Sequence, residues 1–203
     1  MSIPPRTATT TLSGAEEAGW KGRLRRLGAA AYLGRTAVHW VMPMEGRAKG
    51  WLSELHHARF REVVLHAAIR YEGACPAYCL MPDHGHLLLL GLSGHANLSA
   101  TATLIRKEWN ALLQPLGVTL QRQAYDHVLR PSERRRSAFQ GVAHYILENP
   151  VRAGLSERPE NWPYLGSLVP GYPSLDPGAA GFWRSFWLAI DDLTADEARP
   201  ADG

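Results

Sequence analysis

Two histidines one residue apart, His84 and His86, stand in the run Met81-Pro-Asp-His-Gly-His-Leu-Leu-Leu-Leu90. On a strand, alternate side chains share a face, so the two imidazoles project together with Cα atoms roughly 6.5–7 Å apart. Imidazoles at that spacing can grip one cation. Without a cation they are two unconnected histidines on a half-exposed strand. Leu88 and Leu90 continue the same face into an apolar interior, which puts the pair at the edge of a core. Asp83 and Gly85 are expected on the opposite face.

A second run, Val142-Ala-His-Tyr145-Ile-Leu-Glu-Asn149-Pro150, carries a different group. On a helix Tyr145 and Asn149 lie one turn apart on a common face, flanked by Val142 and Ile146. A tyrosine on an inward face ordinarily fills core with its hydroxyl satisfied. Beside a divalent ion it has another use, attack on a phosphodiester. The ion offsets charge that grows on the phosphate and orients it for in-line attack. Tyrosine, with an unperturbed pKa of about 10, needs help to lose its proton. A phosphotyrosine ester conserves the bond energy, so resealing needs no nucleotide, and the chain has no Gly-x-x-x-x-Gly-Lys-Ser/Thr loop.

These groups need elements to hold them. Ala37 to Met42 reads as a strand stopped by Pro43, and Ser53 as the cap of a helix running to about Tyr71. Ala77 to Met81 and His84 to Leu90 are strands separated by a tight break at Pro82-Asp83. Leu98 to Leu113 fits a second helix, and Ala124 to Leu129 a short fourth strand. A third helix opens near Ser132 and ends before Pro150, because the residue before a proline avoids helical geometry. The order gives an α+β fold, a ferredoxin-like β-α-β-β-α-β core with an antiparallel sheet and an appended helix carrying Tyr145. Residues 1–20 are expected to be a loose tail, 21–167 the functional domain, and 168–203 a Pro/Gly-rich acidic extension. Its aromatic cluster, Phe182, Trp183, Phe186 and Trp187, is expected to dock on the body.

With 203 residues the chain has room for one well-buried domain plus extensions. Its net charge of +3 conceals an asymmetry. Residues 21–152 hold 18 Lys or Arg against 9 Asp or Glu, and residues 153–203 hold 3 against 8. Only Lys21, Lys49 and Lys107 of the basic residues are lysines. Arginine-rich charge on the central body suits a phosphate-bearing partner, although a solvated surface carries such charge too. Cys75 and Cys79, four apart on one strand, would stand roughly 13 Å apart, beyond disulfide reach. No second cysteine pair completes a zinc knuckle. No apolar run reaches the length of a membrane span, and a soluble, cytoplasmic, nucleoid-associated protein is expected.

Met81-Pro-Asp-His-Gly-His-Leu-Leu resembles the Met-Pro-Asn-His-x-His-Leu signature of single-tyrosine HUH transposases. Tyr125-Asp-His-Val-Leu-Arg130, Tyr145-Ile-Leu-Glu-Asn-Pro-Val-Arg-Ala-Gly154 and Asn161-Trp-Pro-Tyr164 resemble the REP-associated branch. The resemblance covers roughly residues 35–167, with four motifs in order. It implies that Tyr145 is the nucleophile, forming a 5′-phosphotyrosine link and freeing a 3′-OH. It makes His84 and His86 metal ligands, Asn149 the third ligand, and Mg²⁺ or Mn²⁺ the metal. The implied partner is single-stranded or hairpin DNA, such as REP-like palindromes, bound by a monomer or homodimer. The sequence departs from the family at Gly85, where a bulky apolar residue is usual, so the strand should pack less firmly. The upstream glycine-arginine pair is matched loosely, by Gly46-Arg47 or Gly34-Arg35.

The residues offered to DNA are Arg106 and Lys107 on the second helix, His127 and Arg130 on the fourth strand's motif, and Arg134, Arg135 and Arg136. Arg106 and Lys107 could equally solubilise their helix, and His127 could simply face solvent. The arginine triplet sits near a helix start, where positive charge opposes the helix dipole unless a phosphate answers it. Two rival functions stay open: a domesticated hairpin-binding protein that does not cut, and a metal phosphodiesterase that uses water.

Overall fold

Alternate residues along the strands enter different cores, so each side of the sheet has its own. The computed structural model describes residues 27–195. Residues 1–26, with the expected tail at 1–20 among them, and residues 196–203 lie outside the described residues. In chain order the elements are β1 (Ala37–Pro43), α1 (Glu54–Arg70), β2 (Gly73–Met81), β3 (His84–Gly91), α2 (Leu98–Leu113) and β4 (Tyr125–Val128). There follow α3 (Arg136–Leu147), α4 (Asn149–Arg152), β5 (Leu165–Leu168) and α5 (Phe182–Ala195).

The sheet runs β4-β1-β3-β2-β5 with every neighbouring pair antiparallel. Its first four strands have the ferredoxin-like order, as expected, and β5 adds an edge that the sequence reading did not include. On one side Val38, Trp40, Met42, Leu87 and Leu89 meet Phe60 and Val64 of α1 and Ile105 and Trp109 of α2. On the other, Ala37 and Leu88 meet Phe139, Ala143 and Ile146 of α3 and Phe182, Phe186 and Ile190 of α5. No helix among the described residues is long and apolar enough to cross a membrane.

Local signals set most boundaries. Ser53 accepts a hydrogen bond from the His56 amide at the start of α1, and Asn97 accepts one from Ala100 at the start of α2. Helix α3 begins later than expected, because residues 131–135 form turns and Arg135 offers no capping side chain. The chain also stays helical through Pro150. Although it precedes a proline, Asn149 takes helical geometry, and Pro150 occupies the first turn of α4, where its missing N–H is no loss.

Two further expectations change. The division at residue 167 falls inside β5, where Leu168 enters the first core while Val169 and α5 enter the second. The described part of the extension is therefore packed into the same body. Its aromatic cluster docks as expected, with Phe186 stacked 6.3 Å from Phe139. Gly85 does not loosen its strand. Trp109 fills the space beside it and is fully buried.

Candidate active site

The β2–β3 hairpin pairs Met81 with His84, leaving Pro82 and Asp83 as its turn. Asp83 therefore does not share the Gly85 face. Its carboxylate folds back onto His84, with Oδ1 2.6 Å from Nδ1, while Oδ2 meets Arg47 Nη1 at 3.3 Å. A carboxylate at Nδ1 holds the ring proton there and leaves Nε2 as the basic nitrogen, the usual arrangement of a metal-binding histidine. The Asp83 carboxyl sits below its usual range. Burial pushes it up, but the hydrogen bond and electrostatic pull of His84 and the charge of Arg47 outweigh that.

His86 answers from the same face of β3. Its Nε2 lies 3.0 Å from His84 Nε2, with ring centroids 4.8 Å apart and planes at 75°. Two imidazoles bound at right angles about 2.1 Å from a six-coordinate ion have nitrogens about 3.0 Å and centroids about 4.6 Å apart. The pair thus fits a divalent ion closely. His86 makes a second contact that the sequence did not suggest, through Nδ1 to His39 Nε2 of β1 at 3.0 Å. Burial holds both rings neutral. The His86 pKa is pushed far down by burial, then by His39 and His84; that of His39 falls to about 4 through burial and then His127.

Helix α3 buries Phe139, Ala143 and Ile146 and turns Tyr145 to its edge, where the residue is 40% exposed. Tyr145 is therefore not core filler. Its ring stands edge-on to His39 at 6.3 Å and to His86 at 6.5 Å, with the Arg152 guanidinium 4.5 Å over it. Tyr145, His39, Arg47, Tyr125 and His127 line one open cavity of about 510 Å³. His127 stands opposite His39 in the β1–β4 register, so it belongs to this wall, while its exposed tip bonds Glu133 at 3.1 Å.

The other expected residues are placed differently. The Asn149 amide nitrogen donates to the carbonyls of Tyr145 at 2.9 Å and Ile146 at 3.1 Å, so it closes the helix that carries the tyrosine. Among the described residues no group of three His, Cys, Asp or Glu side chains is arranged around one ion. A third donor would be an amide, water or the substrate itself. Arg106 donates to the carbonyls of Gln121 at 2.6 Å and Arg122 at 3.2 Å, tying down the loop into β4. Exposed Lys107 lies beside Glu108 at 3.4 Å. Both belong to α2, across the sheet from the histidines. Arg130 and Arg135 are exposed. Arg134 reaches the Arg35 carbonyl at 3.3 Å, and Arg136 pairs with Asp191 of α5 at 3.2 Å and lies 4.9 Å over Trp187.

Sequence reasoning passed over His39, Arg47 and the role of Asp83. Arg47 had a signal, the Gly46-Arg47 pair. His39 had none, since only strand pairing brings it to His86.

This arrangement of strands and helices has a counterpart among solved structures, a REP-associated tyrosine transposase bound to a REP hairpin. The two share 18% identity over 71% of this chain and 81% of that one, with a TM-score of 0.57. The fold is that of a REP-associated tyrosine transposase. At this identity the likeness is one of fold. Two structures of a bacterial tRNA(His) guanylyltransferase-like protein, in complex with ATP and with GTP, are 17% identical over 61% of this chain. They cover 63% and 69% of their own chains at TM-scores of 0.35 and 0.36, too low to argue from. No family model and no curated protein matches the chain.

Proposed function

We propose that this protein cuts and rejoins single-stranded DNA near hairpins by transesterification through Tyr145, with Mg²⁺ or Mn²⁺ held by His84 and His86. One observation carries the reading: a half-exposed tyrosine lies against the ring of His86, whose Nε2 converges with that of His84 at 3.0 Å. The hairpin-bound fold neighbour and the arginine-rich body support DNA as the substrate.

When bound, the ion offsets charge on a non-bridging phosphate oxygen. The chain's own groups do the rest. Asp83 and His39 fix the rotations of His84 and His86. The ring contacts with His39, His86 and Arg152 hold Tyr145 at the cavity wall. The Tyr145 oxygen attacks phosphorus, the bond to the 3′ oxygen breaks, and the phenol proton ends on that leaving oxygen. The 5′ phosphate stays on the tyrosine, and the reverse reaction reseals the strand.

The test is incubation of end-labelled single-stranded hairpin DNA with the protein and Mn²⁺, followed by denaturing gels. A covalent protein–DNA band is expected. It should vanish in Tyr145→Phe while hairpin binding and melting temperature stay near the parent values. Cutting without an adduct would instead support water as nucleophile, and binding without cutting a hairpin-reading protein.

A further inference from the structure

The contacts Asp83–His84–His86–His39 form an unbroken line in which His84 and His86 each use both nitrogens and His39 ends the line through Nε2. Distance alone does not say which nitrogen bears each proton, but the line restricts the choices. Asp83 accepts, so His84 donates through Nδ1 and offers a bare Nε2. In the cation-free protein the 3.0 Å space between the two Nε2 atoms must then be filled by a proton on His86 Nε2. That leaves His86 Nδ1 bare, and His39 must donate to it through Nε2. Every contact is satisfied with three neutral rings.

A cation between His84 and His86 needs both Nε2 atoms bare. We propose that His39 is a positioning residue for cation binding: it reverses from donor to acceptor, so that the His86 proton moves from Nε2 to Nδ1 as the ion enters. This inference rests on the reading that the pair holds an ion. The shift keeps the proton count constant. His86 keeps one proton at its other nitrogen, and the proton of His39 passes from Nε2 to Nδ1. A carboxylate at the His39 position could only accept, and an arginine could only donate. Imidazole does both, and so does a carboxamide by turning over. Backbone pairing sets the partner choice: β1 and β3 are neighbours, Val41 lies opposite His86, and His39 is one alternate position along the same face.

Long-range ¹H–¹⁵N correlation spectra of the unaltered protein decide the point without depending on any variant. His86 and His39 should appear as Nε2–H forms without cation and as Nδ1–H forms with saturating Mg²⁺. A His86 tautomer unchanged by bound Mg²⁺ would overturn the proposal. Should Mg²⁺ and Mn²⁺ fail to bind at all, the functional reading falls; the cation-free spectrum still shows whether His39 donates to His86, and an Nδ1–H form of His86 there would sink that assignment separately. Binding of Mn²⁺ alone, followed by the spin-resonance signal of free Mn²⁺, gives the second readout. His39→Leu should weaken binding about 10- to 100-fold, and His39→Gln should restore it to within about threefold of the parent. Parent-like affinity in a folded His39→Leu would also overturn it.

Discussion

Gly85 and Trp109 are shaped to one another. A Cβ at residue 85 would stand 2.7 Å from Cη2 of the Trp109 indole, which is fully buried between β3 and α2. A β-branched residue there must displace the ring. Gly85→Val should destabilise the protein by about 1–3 kcal/mol, the usual cost of overpacking. Trp109→Ala should cost about 3–5 kcal/mol through the cavity left behind. The double variant should be more stable than the sum of the two losses predicts. Strict additivity in denaturant titrations would mean that the two positions do not share space.

Asn149 serves the end of α3 through its amide nitrogen. Asn149→Ala removes the donor to two carbonyls and should lower stability by about 0.5–1.5 kcal/mol. Asn149→Asp should lose as much or more, since a carboxylate cannot donate and its charge opposes the negative end of the helix. Melting curves without metal, run beside Mn²⁺ titrations of cleavage, separate this role from ligation. A changed Mn²⁺ requirement with unchanged melting would give the ligand role precedence.

Both thiols are buried on β2 and unpaired. Burial pushes Cys79 up to about 12 and Cys75 higher still, and lifts the phenol of Tyr78 to about 12. Folded-state values above the unfolded ones give stability that is complete below about pH 8.5 and lost as pH rises toward those folded values. Melting temperature should therefore fall from pH 9 upward, and less steeply in the Cys75→Ala/Cys79→Ala double variant. Iodoacetamide at pH 8 should leave the native thiols unmodified and label both in denaturant. Prompt labelling of the native protein would contradict the burial.

The arginine triplet divides by partner. Arg136 is paired with Asp191 and lies over Trp187, so Arg136→Ala should mainly lower the melting temperature by loosening α5 from α3. Arg134 and Arg135 are exposed, and replacing both should make the fall of log affinity for hairpin DNA with log salt shallower. An unchanged slope would leave them as solvated surface.

The parts of this fold that could be read in advance are those with local causes. The Ser53 cap, the Leu98–Leu113 periodicity and the Pro82-Asp83 turn each act within a few residues, and α1, α2 and the hairpin follow them. Strand β5 could not be read this way. Leu165-Gly-Ser-Leu168 is too short to show alternation, and it is a strand only because β2 offers it an edge. The late start of α3 reflects missing capping chemistry at Arg135. At the site, His84, His86 and Tyr145 belong to motifs that a chain carries in one dimension. His39 lies 47 residues from His86 and meets it only through the sheet register. Strand alternation puts Asp83 on the face of Gly85, yet a turn residue follows no such rule.

The contact of Tyr145 with His39 and His86 lies within one chain. The proposed nucleophile and the candidate ligand His86 thus meet within a single copy. Mixing inactive Tyr145→Phe with inactive His86→Ala should accordingly restore no adduct formation at any ratio. Recovery of adduct on mixing would require the helix bearing Tyr145 to leave its own sheet and serve another, giving up the burial of Phe139, Ala143 and Ile146 on the way.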